Sequence, residues 1–197
     1  MKRSFDFFAS ACAVILLSPL FLVVAAAIVI DSGRPVLFRQ ERVGRHGKPF
    51  RIIKFRSMKP TSNNSIPLVT TAGDARITRV GGWLRSTKLD ELPQLWNVLR
   101  GDLSIVGPRP EVRKYVDLWP ADDRAIILSI RPGITDPAST KYRREEDLLA
   151  GQKDPEGFYR TVVLPDKVRL YREYVETQSL AIDLRVLAST AQSIVAG

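Results

Sequence analysis

Cysteine and histidine are almost absent from this chain of 197 residues, which holds one of each, Cys12 and His46. A lone cysteine excludes an intramolecular disulfide framework and fits a reducing compartment. The same scarcity excludes a zinc-type Cys/His cluster. Cys12 lies in an apolar run and reads as a small core or lipid-facing residue, and His46 sits in a turn and reads as surface. The chain has no tandem repeat, Walker loop or dinucleotide glycine motif. Aromatics make up 8% and no nucleic-acid recognition motif accompanies them, which argues against a nucleic-acid binder. Negative charge is the minority sign: 21 acidic residues face 30 basic ones, a formal net charge of +9. That excess points to an anionic partner, whether nucleic acid, lipid headgroup or phosphorylated substrate. The length fits one domain with a real core.

What is present concentrates at 84–110, LRSTKLDELPQLWNVLRGDLSIVGPRP. Proline is tolerated inside a helix only in its first turn, so Pro93 marks a helix start. Leu92, Leu95, Trp96 and Leu99 recur at i, i+3, i+4, i+7, one helical face. The spacing predicts a helix from about Leu89 to the terminator Gly101. Asp90 and Glu91 then fall on its first turn, beside unpaired N–H groups and the positive end of the dipole. Acidic residues there can simply cap the helix. Here Arg85 and Lys88 precede them, Arg100 and Arg109 follow, and a rigid Gly-Pro-Arg-Pro turn closes the stretch, as suits a loop that positions groups for an anionic ligand.

Upstream, residues 9–30 (ASACAVILLSPLFLVVAAAIVI) carry no charge. The run reaches the roughly 20 residues that span a bilayer and exceeds the roughly 7–15 of a signal-peptide core. Ala25-Ala26-Ala27 imitates a cleavage site and keeps a signal peptide as the minority reading, since the rest of the chain reads as a cytosolic phosphate handler. Pro19 near the middle kinks the helix, and the Ser18 hydroxyl can satisfy a freed carbonyl. Lys2 and Arg3 precede the run and Arg34, Arg39 and Arg42 follow it. Positive charge on both flanks favours both ends on the cytoplasmic face; a kinked single pass is the alternative.

KLDELPQLWNVL at 88–99 followed by GDLSIVGPRP at 101–110 resembles the bacterial sugar transferase family, the small monotopic phosphoglycosyl transferases that begin polysaccharide and glycoprotein glycan assembly. Weaker matches run from Ser18-Pro19 to Asp183-Leu184. The resemblance implies an α+β, mainly helical fold, with a re-entrant membrane helix over 1–31 broken at Ser18-Pro19 and a cytosolic catalytic domain over 32–197. It places the chain on the cytoplasmic face of a bacterial inner membrane; self-association is left open.

Elsewhere, β-branched and aromatic residues on both sides of a turn at 44–48 predict an antiparallel hairpin. Lys54 and Arg56, two apart, share a strand face. That face can be plain solvated surface; the family pattern puts it near the active site. Residues 60–74 read as a polar, mobile loop, 75–85 as a helix weakened by Gly81-Gly82, and 111–119 and 121–130 as helices. Two helical pieces split by Pro165 are expected over 158–176. The final helix, 180–196, has Leu180, Leu184, Leu187, Ala191 and Ile194 on one side, as a core helix or an interfacial one. Arg131 opens another rigid turn that matches the family. Residues 136–140 (DPAST) then replace the commoner Gly-Trp-Ala-Gln, a change that bears on the sugar pocket.

Phosphoryl chemistry needs a nucleophile, neutralised phosphates and exclusion of water. Asp90, kept ionised by the helix dipole, is the expected nucleophile. Glu91, expected to be partly exposed, is a hard oxygen ligand for Mg²⁺, which also relieves repulsion between the two carboxylates. Arg85, Arg109, Arg131 and Arg143 supply forked donors for phosphate. The resemblance implies a ping-pong reaction: a UDP-sugar phosphorylates Asp90 and releases UMP, and polyprenol (undecaprenyl) phosphate then takes the phosphosugar. The rival reading is a non-catalytic, membrane-anchored basic binding module. It accounts for the charge and the anchor but leaves Asp90-Glu91 without a role.

Overall fold

A computed structural model describes residues 2–59 and 69–195. Two helices open the chain, α1 (Lys2–Leu16) and α2 (Ser18–Ser32), and meet at a 61° bend. The bend falls where Pro19 enters the first turn of α2, and the Ser18 hydroxyl donates to the Ile15 carbonyl at 2.8 Å. Both outer ends of this pair are tied to the same body. At the start, Lys2 pairs with Asp183. The Arg3 guanidinium donates to the Val98 and Leu99 carbonyls (2.5 and 3.1 Å), and buried Asp6 accepts from Ser104 Oγ at 2.7 Å. At the other end, Asp31 accepts from the Val80 N–H, and Arg56 donates to Ser32 Oγ and the Gly33 carbonyl. The middle stays bare: Leu16 is 79% exposed and Leu22 73%.

The predicted hairpin forms from β1 (Leu37–Val43) and β2 (Pro49–Phe55), antiparallel with Phe38 opposite Lys54. The remaining order is α3 (Arg79–Ser86), a 3₁₀ turn (Leu89–Gln94), α4 (Leu95–Arg100), β3 (Ser104–Val106), α5 (Arg113–Val116), α6 (Ala121–Ile127), β4 (Gly133–Thr135), α7 (Glu145–Ala150), α8 (Pro155–Phe158), a π-turn (Tyr159–Val163), α9 (Leu164–Thr177) and α10 (Leu180–Val195). The fold is α+β and mainly helical. A short parallel pair, β3 beside β4, was not anticipated. One core gathers Val43, Tyr115, Trp119, Leu149, Tyr159 and Tyr171; a second joins Val24 and Ile28 of α2 to Phe55 and Leu84.

Several expectations change. The 75–85 helix starts only at Arg79, because Thr78 caps it by accepting from the Gly81 N–H while Ile77 bridges to Met58. The helix expected from Leu89 is a six-residue 3₁₀ turn before α4. Its predicted apolar face is rotated: Leu95 is buried as expected, but Trp96 is 48% exposed, and Gln94, Asn97 and Val98 are buried. Asn97 explains the rotation, since its side chain accepts from the Ile53 N–H (3.0 Å) and donates to the Arg51 carbonyl (2.8 Å), plugging α4 into β2. The helices expected at 111–119 and 121–130 shrink to α5 and α6. Pro165 stands at the expected junction: the π-turn ends at Val163 and α9 opens at Leu164 with Pro165 in its first turn, where a missing N–H is tolerated. In α10, Leu180 and Leu184 face outward, while Asp183 is buried and accepts from Tyr174 Oη. Ile194 and residues 60–68 of the expected loop lie outside the described side chains and residues.

Gly81 and Gly82 call for opposite outcomes. A Cβ at Gly81 would meet the Ser57 backbone, whereas at Gly82 its nearest neighbour is Ile77 Cγ2 at 3.9 Å. Gly81→Ala is expected to lose about 1–3 kcal/mol through overpacking, and Gly82→Ala to gain up to about 1 kcal/mol from helix propensity. Thermal or denaturant unfolding of the two variants measures both signs.

Candidate active site

The 3₁₀ turn is held from below by Leu89 and Leu92, which pack against Val24, Ile28, Phe55 and Leu84. Lys88 enters it in the left-handed conformation (φ +58°), uncommon for a residue with a Cβ. With its leucines committed to that core, the turn presents Asp90 and Glu91 between β2 and the Gly-Pro-Arg-Pro loop. Glu91 is buried, 9% exposed, rather than partly exposed. Its Oε1 accepts from Lys54 Nζ at 2.7 Å and Arg109 Nη2 at 2.6 Å, and its Oε2 lies 3.4 Å from Arg109 Nη1. Asp90, 5% exposed, accepts no hydrogen bond and makes no ion pair among the described residues.

The electrostatics separate the two carboxylates. Burial drives the Asp90 carboxyl above its usual range, with Glu91 adding to the rise and Lys54, Arg85 and Lys88 opposing it. Burial pushes Glu91 the same way, yet the charges and hydrogen bonds of Arg109 and Lys54 outweigh it and hold Glu91 well below the carboxylate range. Arg109 is raised well above its ordinary value by Glu91. The expectation that a helix dipole keeps Asp90 ionised is therefore corrected: the turn is 3₁₀ and six residues long, burial raises the carboxyl, and the nearby cations oppose that rise.

Of the other expected binding residues, Lys54 and Arg109 stand at the site. Arg85 acts on Asp90 through its charge, while its guanidinium pairs with Glu146. Arg56 does not bond to either carboxylate. It lies past the end of β2, where its own N–H donates to the Val36 carbonyl and its side chain holds the end of α2. Arg131 donates to the Gly101 carbonyl at 2.8 Å, fastening the end of α4. Arg143, in the turn before α7, forms no hydrogen bond or ion pair with either carboxylate.

Sequence reasoning missed three buried groups. Gln94, 1% exposed, has an Nε2 without a partner. Asp136, at the end of β4, is a buried carboxylate raised by desolvation and opposed by the charges of Arg109 and Lys167. Glu111 is tied to Arg42 and Tyr159. The unusual 136–140 segment marked the region of Asp136 but not the residue.

The arrangement sets a buried carboxylate, without a side-chain partner among the described residues, beside a second one clamped by Lys54 and Arg109. Residues 1–197 match the family model described as bacterial sugar transferase, and the chain belongs to that family. It is 37% identical to the UDP-glucose:undecaprenyl-phosphate glucose-1-phosphate transferase of Caulobacter vibrioides, over 98% of this chain and 69% of that protein. It is also 37% identical to the UDP-N-acetylgalactosamine-undecaprenyl-phosphate N-acetylgalactosaminephosphotransferase of Aeromonas hydrophila, over 100% of this chain but 44% of that one. An exopolysaccharide production protein of Rhizobium leguminosarum bv. phaseoli is 38% identical over 98% of this chain and 94% of its own length. The chain thus spans less than half of some curated relatives and nearly all of others.

Opposite shifts give opposite stability effects. Asp90, raised in the fold, costs stability once ionised, so the wild type loses stability as pH rises from the ordinary aspartate value of 3.8 through the folded one. Asp90→Asn is expected to be more stable than wild type at neutral pH, the gain fading in acid. Glu91, depressed in the fold, contributes stability that is fully present above its ordinary value of 4.5 and is lost as pH falls through the folded value. Glu91→Gln is expected to cost about 3 kcal/mol at neutral pH by leaving buried cations unpaired, and less in acid. Unfolding curves across pH check both; a stabilised Glu91→Gln contradicts the clamp.

Proposed function

We propose that this chain is a phosphoglycosyl transferase that moves a sugar phosphate from a UDP-sugar to polyprenol (undecaprenyl) phosphate, through a covalent intermediate on Asp90. The observation that carries the proposal is the partnerless, buried Asp90 carboxylate beside the Lys54–Glu91–Arg109 clamp. An Asp90 oxygen attacks the phosphorus that bears the sugar. The bond from that phosphorus to the bridging oxygen breaks, and UMP leaves with the electron pair. A phosphate oxygen of the polyprenol phosphate then attacks the same phosphorus and releases the aspartate. Both nucleophiles are anions, so neither step removes a proton. Arg109 and Lys54 stand where the pyrophosphate charge arrives, already oriented by Glu91, and preorganised donors need no reorganisation. The names of the Caulobacter and Aeromonas relatives support both substrate classes. A non-catalytic anchored module leaves Asp90 without a reason to remain buried and unpaired.

The donor set suits Mg²⁺ of the kind held by one or two carboxylates plus substrate phosphates. Glu91 Oε2, with a single long contact at 3.4 Å, is the oxygen that would take it, and the bound ion would neutralise pyrophosphate charge. Residues 1–31 are proposed as a re-entrant anchor that leaves 32–197 on the cytoplasmic face of a bacterial inner membrane. Among the described residues no single helix is long and apolar enough to cross a membrane, but the bent α1–α2 pair passes that test together. Its two ends dock on one body while its bend is bare, and this supports the hairpin over a single pass.

With undecaprenyl phosphate absent, wild type is expected to exchange labelled UMP into a UDP-sugar drawn from a panel, and Asp90→Asn to lose that exchange. Chelator should suppress turnover and Glu91→Gln should lower it. Lipid product formed by Asp90→Asn at the wild-type rate would remove the nucleophile. In a Cys12→Ala background, cysteines at the exposed positions Ser4 and Arg34 should label from the same side of sealed vesicles. Labelling from opposite sides sinks the hairpin.

A further inference from the structure

The loop that carries Arg109 has little means of holding itself in place. Pro108 and Pro110 have no backbone N–H, so its hydrogen bonds come from its neighbours. On the β4 side the Gly107 N–H donates to the Thr135 carbonyl at 3.0 Å, and the Gly133 N–H donates to the Pro108 carbonyl at 2.9 Å. On the β1 side the Val43 N–H donates to the Glu111 carbonyl at 2.9 Å, and Arg42 Nη1 donates to the Pro110 carbonyl at 3.3 Å.

Glu111 is the hub of that second side. It is 6% exposed. Its Oε1 accepts from Tyr159 Oη at 2.9 Å and its Oε2 accepts from Arg42 Nη1 at 3.4 Å. The same guanidinium nitrogen therefore grips both the Glu111 carboxylate and the Pro110 carbonyl next to Arg109. Tyr159 is itself fixed, 4.9 Å from the Tyr115 ring and 5.1 Å below Lys167 Nζ. Charge gives this hub a second task. Arg42 is depressed by burial, and the like charge of Arg109 depresses it further, while Glu111 supports it. Without the Glu111 charge, two neighbouring guanidiniums would repel across the loop that must present one of them.

We propose that Glu111 is a positioning residue for substrate binding: clamped by Arg42 and Tyr159, its carboxylate holds the Gly-Pro-Arg-Pro loop so that Arg109 stands at Glu91, ready for a phosphate group. The proposal rests on the reading of Arg109 as a phosphate ligand. Glu111 touches no substrate in this scheme and acts through Arg109 alone. A residue with a merely structural role in the Tyr115–Tyr159 core would lower stability without any special link to Arg109.

A double-mutant cycle on the affinity for UDP separates these cases and needs no knowledge of the sugar. Purified full chain in detergent is titrated with UDP by calorimetry for wild type, Glu111→Gln, Arg109→Ala and the double variant, each with its melting temperature. Glu111→Gln is expected to weaken UDP binding about tenfold, as coupled neighbours do, and to add nothing once Arg109 is alanine. If Arg109→Ala alone leaves the affinity unchanged, the reading of Arg109 as a phosphate ligand falls. If Arg109→Ala weakens binding but Glu111→Gln has no effect, or the same effect in both backgrounds, the positioning role is overturned. Tyr159→Phe removes one bond to Glu111 while keeping the ring packing. It carries the same cycle, with the same two readings, if Glu111→Gln does not fold.

Discussion

The structure depends on one buried ion cluster, Glu91 held between Lys54 and Arg109. Removing charges from water is expensive, and a buried pair holds only when partners and hydrogen bonds offset that loss. Here the partners come from three separate places: the end of β2, the 3₁₀ turn and the loop after β3. Glu91 is therefore a knot that fixes these segments relative to one another. Its neighbour Asp90 gains nothing comparable. The fold clamps one carboxylate between two cations and leaves the adjacent one buried without a side-chain partner among the described residues, an arrangement with no benefit to stability. Local rules are broken in this way where function demands it.

The same turn is also where the bent helix pair meets the body. Leu89 and Leu92 flank the two acids and pack into the cluster built on Val24 and Ile28 of α2. Two leucines thus join α2 to the turn that carries the acids. In the reaction proposed above, with one substrate from water and one from lipid, such a linkage would set the Asp90 carboxylate at a fixed height relative to the bilayer.

The sequence made much of this legible, for reasons that differ by residue. The hairpin followed from its β-branched strands and glycine-rich turn, the bend from Ser18-Pro19, and the gathering of Asp90, Glu91 and Arg109 from one short stretch, though not the ion pair of Arg109 with Glu91. The failures share a cause: a polar side chain took a position that periodicity assigns to an apolar one. Asn97 plugs into β2 and turns Trp96 outward. Asp183 is buried by Lys2 and Tyr174 and turns Leu180 and Leu184 outward. Arg56 and Arg131 carry the charge that phosphate binding requires, but their donors go to Ser32 Oγ and the Gly33 carbonyl at the end of α2 and to the Gly101 carbonyl after α4, and no local pattern announces that. Glu111 is held by Arg42 and Tyr159, both distant in sequence, so neither spacing nor composition singles it out.

The central claim is that Asp90 bonds covalently to the sugar phosphate. The most direct test mixes the protein with a UDP-sugar and Mg²⁺ in the absence of acceptor lipid, quenches in acid, and reads the peptide containing Asp90 by mass spectrometry. The account predicts an added sugar phosphate on Asp90 that disappears when undecaprenyl phosphate is supplied before the quench. An enzyme that makes lipid-linked product while this peptide stays unmodified at every time point would contradict it.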